Sequence, residues 1–270
     1  RNIKDSKLSD SEIITISIVG ELLTIDSEKS FFSLLKREYK ELFPRLGDRT
    51  RFNRTKRNLH LVISKIRGYI SEFMQLYSNN IRVIDSMPIP VCEFGRAHFS
   101  KCFKGEASYG ICASKKETYF GFKFHALTTV DGFLTDYVIT PANIDDRNAV
   151  WDLCDKYRSI SIIGDKGYIN KRLTPELKSE RDIDLLFLKR ANSRDNYPKE
   201  VRQLLFKVRR RIETSFSQLT EQLNLNKVKS KSMLGFMTRT SIKVLAHNIS
   251  FLINKLMKND DSMAKIKSCL

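Results

Sequence analysis

Residues 118–140, TYFGFKFHALTTVDGFLTDYVIT, hold two stretches rich in aromatic and β-branched side chains, separated by Asp131-Gly132. Both residues of that pair accept the left-handed backbone of a two-residue turn, so the stretches read as strands 118–130 and 133–140 of a hairpin. Upstream, RVIDSMPIPV (82–91) is another apolar, β-branched run, read as a strand over 81–91. Downstream, DDRNAVWDLCDKYR (145–158) reads as a helix and SISIIGD (159–165) as a short apolar strand. A helix near 170–180, the strand DIDLLFLKR (182–190) and a long helix over 198–223 follow. Three strands and then alternating helices and strands describe an α/β layer, the order of a ribonuclease-H-like mixed sheet flanked by helices. That domain is drawn over residues 80–224. A further apolar helix at about 233–257 is expected to pack onto it, inside a basic C-terminal extension over 225–270. The connection 92–117 is long enough to be functional or mobile, and its Cys92, Cys102, Cys112 and His98 match no compact zinc set.

Residues 8–78 look helical throughout. LSDSEIITISIVGELL offers Ser9 or Ser11 as an N-cap before apolar residues at near-helical spacing, and Pro44 and Gly47 interrupt the region. Between residues 36 and 67 stand 11 Lys or Arg against 3 Asp or Glu, concentrated in RLGDRTRFNRTKRNL (45–59). A turn followed by a basic helix start suits a helix-turn-helix within a DNA-binding region over 1–79, with Arg49, Arg51, Arg54, Lys56 and Arg57 as candidate contacts. The plainer reading is a helical cap with a solvated basic face. Across its 270 residues the chain is 41% hydrophobic with a formal net charge of +17, so it can bury a core while offering a positive surface to a polyanion. Five cysteines without a C-x-x-C pair argue against a disulfide framework or zinc ribbon and fit a reducing cytoplasm. No stretch approaches the roughly 20 apolar residues of a membrane span. No signal-peptide layout opens the sequence, and a start at Arg1 leads to the expectation of native residues before it.

Three acids interrupt or end apolar elements: Asp85 inside the 81–91 strand, Asp165 at the end of SIIGD, and Glu213 in RRRIETSF. Burying a carboxylate is costly unless a base or a metal accompanies it. If the two strands are neighbours, their aspartates converge at one sheet edge, where a helix packed across it can add the glutamate. On that helix Val201, Leu205, Val208, Ile212, Phe216, Leu219 and Leu223 fall within roughly 40° of one line, a core stripe. Glu213 lies about 100° away on a flank shared with Phe206, Arg209 and Thr220. Three hard oxygen ligands suit Mg²⁺, and a pair of such ions can activate an attacking oxygen and stabilise a leaving one during phosphodiester cleavage. Residues 189–258, with 16 Lys or Arg against 4 Asp or Glu, supply a field suited to phosphate backbones. Each acid alone has an ordinary structural explanation; together they point to a site. His125 reads as a packed core histidine, Asp145 and Asp146 as helix caps, and Trp151 as core.

IDSMPIPV, GFKFHALTTVDGFLTDYVITPANIDDRNAV, IIGDKGYI and RRRIETSFSQL together resemble bacterial DDE insertion-sequence transposases, most closely the insertion sequence family numbered 982. The likeness runs from about residue 80 to 255, and the ordered set is more specific than any single motif. It implies a ribonuclease-H-like core, two Mg²⁺ or Mn²⁺ ions, binding to terminal inverted repeats, and strand transfer by a freed 3′-hydroxyl, with Asp85, Asp165 and Glu213 as the catalytic, metal-holding acids. Related enzymes carry Tyr-x2-Arg-x3-Glu-x6-Lys around the last acid, where this chain has Phe206, Arg209, Glu213 and Thr220. The role of the missing lysine passes to Arg210, Arg211 or Lys227, Lys166 is a further candidate phosphate contact, and Arg209 is counted with them among the candidate DNA-binding residues. A homodimer is implied only by the need to bring two DNA ends together, and a cytoplasmic, nucleoid-associated bacterial protein follows from the same likeness. The rival readings are a hydrolysis-only nuclease of the same fold and a non-catalytic repressor derived from a transposase. A joining assay separates the first, and the presence of all three acids counts against the second.

Overall fold

The computed structural model describes residues 7–76, 79–112, 116–168, 170, 172–187 and 197–258. They fall into two compact units, one from Ser71 to Gln218 and one combining the chain up to Ile70 with the chain from Leu219 onward.

The first unit is built on a six-stranded mixed sheet of β1 (Ile81–Pro90), β2 (Ser108–Cys112), β3 (Glu117–Thr128), β4 (Leu134–Pro141), β5 (Ser161–Gly164) and β6 (Asp184–Phe187). Its order is β2-β3-β1-β5-β6, with β4 also paired to β3. The long β3 takes β2 along its first part and β4 along the rest, and β1 along its other edge, all antiparallel. β1, β5 and β6 run parallel. The hairpin turn forms where the sequence marks it, with Gly132 at φ +97° and its N–H donating to the Thr129 carbonyl. One face of the sheet packs Ile84, Leu127, Ile162 and Leu185 against α5 (Ala149–Leu153), α6 (Leu173–Arg181) and Tyr168. On the other face Ile163 meets Leu205 and Val208 of α7 (Lys199–Ser217).

Several expectations are corrected here. β2 lies inside the connection 92–117, a short edge strand whose Gly110 passes so close to β4's end that a Cβ would stand 2.6 Å from the Ala142 carbonyl oxygen. The expected helix over 145–158 is a 3-10 turn, Asp146–Asn148, followed by α5 alone, because the chain then turns to bury Tyr157 with its hydroxyl on Asp136. Of the expected strand 182–190, residues 188–190 lie outside the described residues. The long helix reaches its expected end, but its last turn, Gln218–Gln222, is π-helical and follows α7 without a break. Val201 is 40% exposed rather than core, since the packing of α7 on β5 begins one turn later at Leu205.

The second unit is helical: α1 (Asp10–Leu22), α2 (Glu28–Glu38), α3 (Arg49–Asn58), α4 (His60–Phe73, running just past the boundary) and α8 (Met233–Leu256). Ser9, not Ser11, caps α1. Its hydroxyl accepts from the Glu12 N–H while the Glu12 carboxylate accepts from the Ser9 N–H, a reciprocal capping box. Gly20 lets α2 approach, because a Cβ there would meet the Phe31 ring at 2.7 Å. α8, expected on the sheet, belongs to this unit and packs on α1 and α3. It buries Phe236, Ile242, Leu245 and Phe251 together with the polar Lys243, His247 and Asn248. The chain between α2 and α3 is longer than the three- or four-residue turn of a helix-turn-helix, whereas only Leu59 separates α3 from α4. Among the described residues no helix is long and apolar enough to cross a membrane.

Candidate active site

The parallel pairing of β1 with β5 sets Val83 opposite Ile163. Paired residues of parallel strands share a face, and side chains two apart along a strand share it too, so Asp85 and Asp165 follow on the same side. Each acid is fixed by the peptide that follows it. The Ser86 N–H donates to Asp85 Oδ1 at 2.8 Å, and the Lys166 N–H to Asp165 Oδ1 at 2.7 Å.

α7 covers this face because its apolar stripe, Leu205, Ile212 and Phe216, is buried there. The Phe216 ring meets Phe124 of β3 edge-on, with centroids 6.2 Å apart, and the Ser215 hydroxyl donates to the Gly132 carbonyl at 2.7 Å. The helix is thus pinned to the hairpin near its end. With that phase fixed, Arg209 and Glu213, one turn apart, stand beside Asp85 in the middle of β1 and Asp165 just past the end of β5.

The guanidinium of Arg209 reaches all three acids. Its Nη2 lies 3.6 Å from Asp85 Oδ2, 3.9 Å from Asp165 Oδ2 and 3.4 Å from Glu213 Oε1. The sequence places Arg209 beside Glu213 on the helix flank and among the candidate DNA contacts, but not within reach of all three acids; helical periodicity fixes an angle but not how far a long side chain extends. Exposure grades across the cluster, the Asp85 side chain being 18% exposed and that of Glu213 52%. Desolvation dominates at Asp85 and pushes its carboxyl up to about 6, reinforced by the charges of Asp165 and Glu213 and opposed by the Ser86 N–H and Arg209.

The donor set consists of carboxylate oxygens, which suits a hard divalent cation, and among the described residues Arg209 is the one partner of Oδ2 of each aspartate and of Glu213 Oε1. As the side chains stand, no three His, Cys, Asp or Glu among the described residues are close enough to hold an ion. The cation in their midst is Arg209. The carboxylates are therefore of the right kind and on the right face for Mg²⁺ or Mn²⁺, provided that the guanidinium moves.

The other candidate residues divide. Lys166, Arg210 and Arg211 are exposed in the same unit as the acids. In the helical unit Arg51 and Arg54 are exposed on α3, and Arg57 is half-buried with an Nε that no hydrogen bond satisfies. Lys56 is instead held by Glu28 at 2.5 Å, and Arg49 reaches the same carboxylate at 3.3 Å. Those two hold α2 against α3 before they can hold anything else.

A polar network on the opposite face of β1 was not foreseen. Ser86 donates to Asp146 Oδ2 at 3.0 Å, and Lys123 donates to Asp146 Oδ1 and the Ile144 carbonyl, both at 2.7 Å. Asp145 caps the following turn through the Arg147 N–H, but Asp146 is a partner of this network rather than a second cap. The signal was Lys123 itself, a lysine alternating with phenylalanines inside a buried strand. His125 is buried, its Nε2 paired with the Thr140 hydroxyl at 2.9 Å, and desolvation lowers its pKa to about 4.

The family model described as "Transposase DDE domain" matches residues 76–233. Searches of curated proteins and of solved structures find no match. The matched span takes in both aspartates and the whole of α7, and it is more than half of the chain, which therefore belongs to the DDE transposase family.

Proposed function

We propose that this chain is an insertion-sequence transposase, most like the insertion sequence family numbered 982, that binds the terminal inverted repeats of its element, cleaves phosphodiester bonds there and joins the freed 3′-hydroxyl to target DNA. One observation carries the reading: Asp85 from the middle of β1, Asp165 from just past the end of the adjacent β5 and Glu213 from the helix above them converge on a single cation. The path β4-β3-β1-β5-β6 supports a ribonuclease-H-like core, with β2 an addition beside β4 on β3's outer edge.

DDE transposases generally use divalent metals, and Asp85, Asp165 and Glu213 would hold two of them here, Mg²⁺ with Mn²⁺ able to substitute. When bound, such ions activate the attacking oxygen and stabilise the leaving one. The chain's own residues do the rest. Two adjacent strands hold two carboxylates on a rigid frame, and α7 brings the third on a side chain that is half exposed and free to adjust. The desolvated setting of Asp85 strengthens its pull on any cation. Lys166, Arg210 and Arg211 meet phosphates of the bound duplex, while Arg51, Arg54 and Arg57 of the helical region read or grip the element's end, with Arg49 and Lys56 contributing once released from Glu28. Two protomers bring two ends together, in a cytoplasmic, nucleoid-associated complex.

The test is incubation of the purified chain with a labelled inverted-repeat duplex and a target plasmid, with and without Mg²⁺. Cut and joined products that require the ion are expected. Cutting without joining would favour a hydrolytic nuclease of the same fold, and tight binding without cutting a repressor.

A further inference from the structure

Arg209 is held in an unusual way. Three carboxylates surround one of its nitrogens at 3.4–3.9 Å, longer than the N–H···O bonds of roughly 2.7–3.2 Å that fix an ion pair, and its buried Nε has no hydrogen-bond partner at all. Charge attracts the side chain, but nothing clasps it. The three acids outnumber it, so the cluster keeps a net negative charge that a divalent ion would answer better than one guanidinium does. Two cations drawn to the same oxygens repel each other, and a guanidinium cannot step aside by losing its proton. It has to move. The nearest anion of suitable geometry in a working complex is the DNA backbone, because a guanidinium fork matches a phosphate as well as it matches a carboxylate.

We propose that Arg209 competes with the divalent ion for these carboxylates and leaves them for a DNA phosphate, so that one side chain couples ion loading to DNA binding. This rests on the transposase reading of the site. With Arg209 among the acids, the ion binds weakly; with Arg209 on a phosphate, the carboxylates are released to it. By linkage the coupling is reciprocal, so the ion must tighten DNA binding by the same factor by which DNA tightens the ion. The chain would then hold its reactive ion firmly only when an end is in place, which protects it from cutting at random.

Mn²⁺ affinity of the full chain, read from the electron paramagnetic resonance of free Mn²⁺, tests this without reference to cutting. Arg209→Ala should bind Mn²⁺ about tenfold more tightly than the wild type, within the roughly 5–150-fold range of ordinary couplings. A duplex end should tighten Mn²⁺ in the wild type by a similar factor and leave Arg209→Ala nearly unchanged. Arg209→Gln, which keeps length and polarity, is the second variant, and both are checked by thermal melting. Equal Mn²⁺ affinity in wild type and variants, lost in each with Asp165→Asn, would overturn the competition while leaving the acids as the metal site. Mn²⁺ binding indifferent to Asp165→Asn in every background would overturn the site and the inference together.

Discussion

Each of the two units carries a cluster of acids and bases, and the two clusters are built on opposite principles. In the helical unit Glu21 and Asp26 face Arg239 and Lys243, two against two. Arg239 Nε meets Glu21 at 3.0 Å, and the Lys243 ammonium, fully buried, is shared by Glu21 and the Leu223 carbonyl. In the sheet unit three acids face one arginine at 3.4–3.9 Å, none of them in a hydrogen bond to it, and the arginine keeps an orphaned Nε. A balanced, clasped cluster is a fastening. An unbalanced, loosely held one has a charge to spend on something else, and being half open to solvent it can receive a ligand.

The largest expected effect tests the second half of that contrast. Asp165→Asn, Glu213→Gln and Asp85→Asn should each reduce cutting of a labelled end by about a thousandfold or more, since members of one catalytic unit are not additive, while DNA binding and folding survive. Near-normal cutting by any of them would remove that residue from the site. Glu21→Gln should do the reverse. It leaves the buried Lys243 and the partly buried Arg239 without their shared carboxylate, and breaking a buried pair from one side costs about 3–5 kcal/mol. Urea titration should show the loss in the helical unit, and cutting per folded molecule should be unchanged.

The pH dependence should separate the units by sign. His247 in the helical unit is fully buried, and desolvation lowers its pKa to about 4 from 6.5. It is neutral when folded and takes up a proton near pH 6.5 when unfolded, so stability is full above that value and falls as the pH drops toward 4, by about 2–3 kcal/mol. His247→Gln should flatten the slope; an unchanged slope would show that this imidazole does not control it. Asp85 acts the other way. Its carboxyl is raised to about 6 from 3.8, so it is protonated in both states below about pH 4, and its ionisation penalises the folded chain as the pH rises through 6. Allowing for partial exposure, Asp85→Asn should raise stability at pH 8 by about 1–2 kcal/mol and make no difference at pH 4, measured by thermal melting. A destabilised Asp85→Asn at pH 8 would mark a structural aspartate.

The sheet was legible where the cause of each element is local. The alternation in β3 and β4 and the Asp131-Gly132 turn between them are properties of a few adjacent residues, as are the strand run that carries Asp85 and the one that ends before Asp165. β2 was not legible, because five residues around Gly110 become a strand only when β3 offers an edge and β4's end leaves room. The fastening of the helical unit was hidden for the same reason, since Glu21 and Lys243 stand at opposite ends of the sequence. At the site, the acids could be picked out as charges in apolar elements, and α7's phase put Glu213 at a margin. The reach of Arg209 to all three, the network from Ser86 to Asp146 and the ending of the long helix at a π-turn depend on tertiary packing that no sequence period encodes.

The alignment of β1 with β5 has a further consequence for how such chains can diverge. Asp85 and Asp165 stay together because Val83 pairs with Ile163, not because of the length of chain between them. The whole excursion through β2, the hairpin and α5 can therefore lengthen or shorten without parting the two acids, whereas a slip of one residue in that short pairing would turn Asp165 to the wrong face. Insertions and deletions should be found in the loops of related chains and excluded from the few residues leading into each acid, so that the local strand context of the acids, rather than the spacing between them, carries the family's identity.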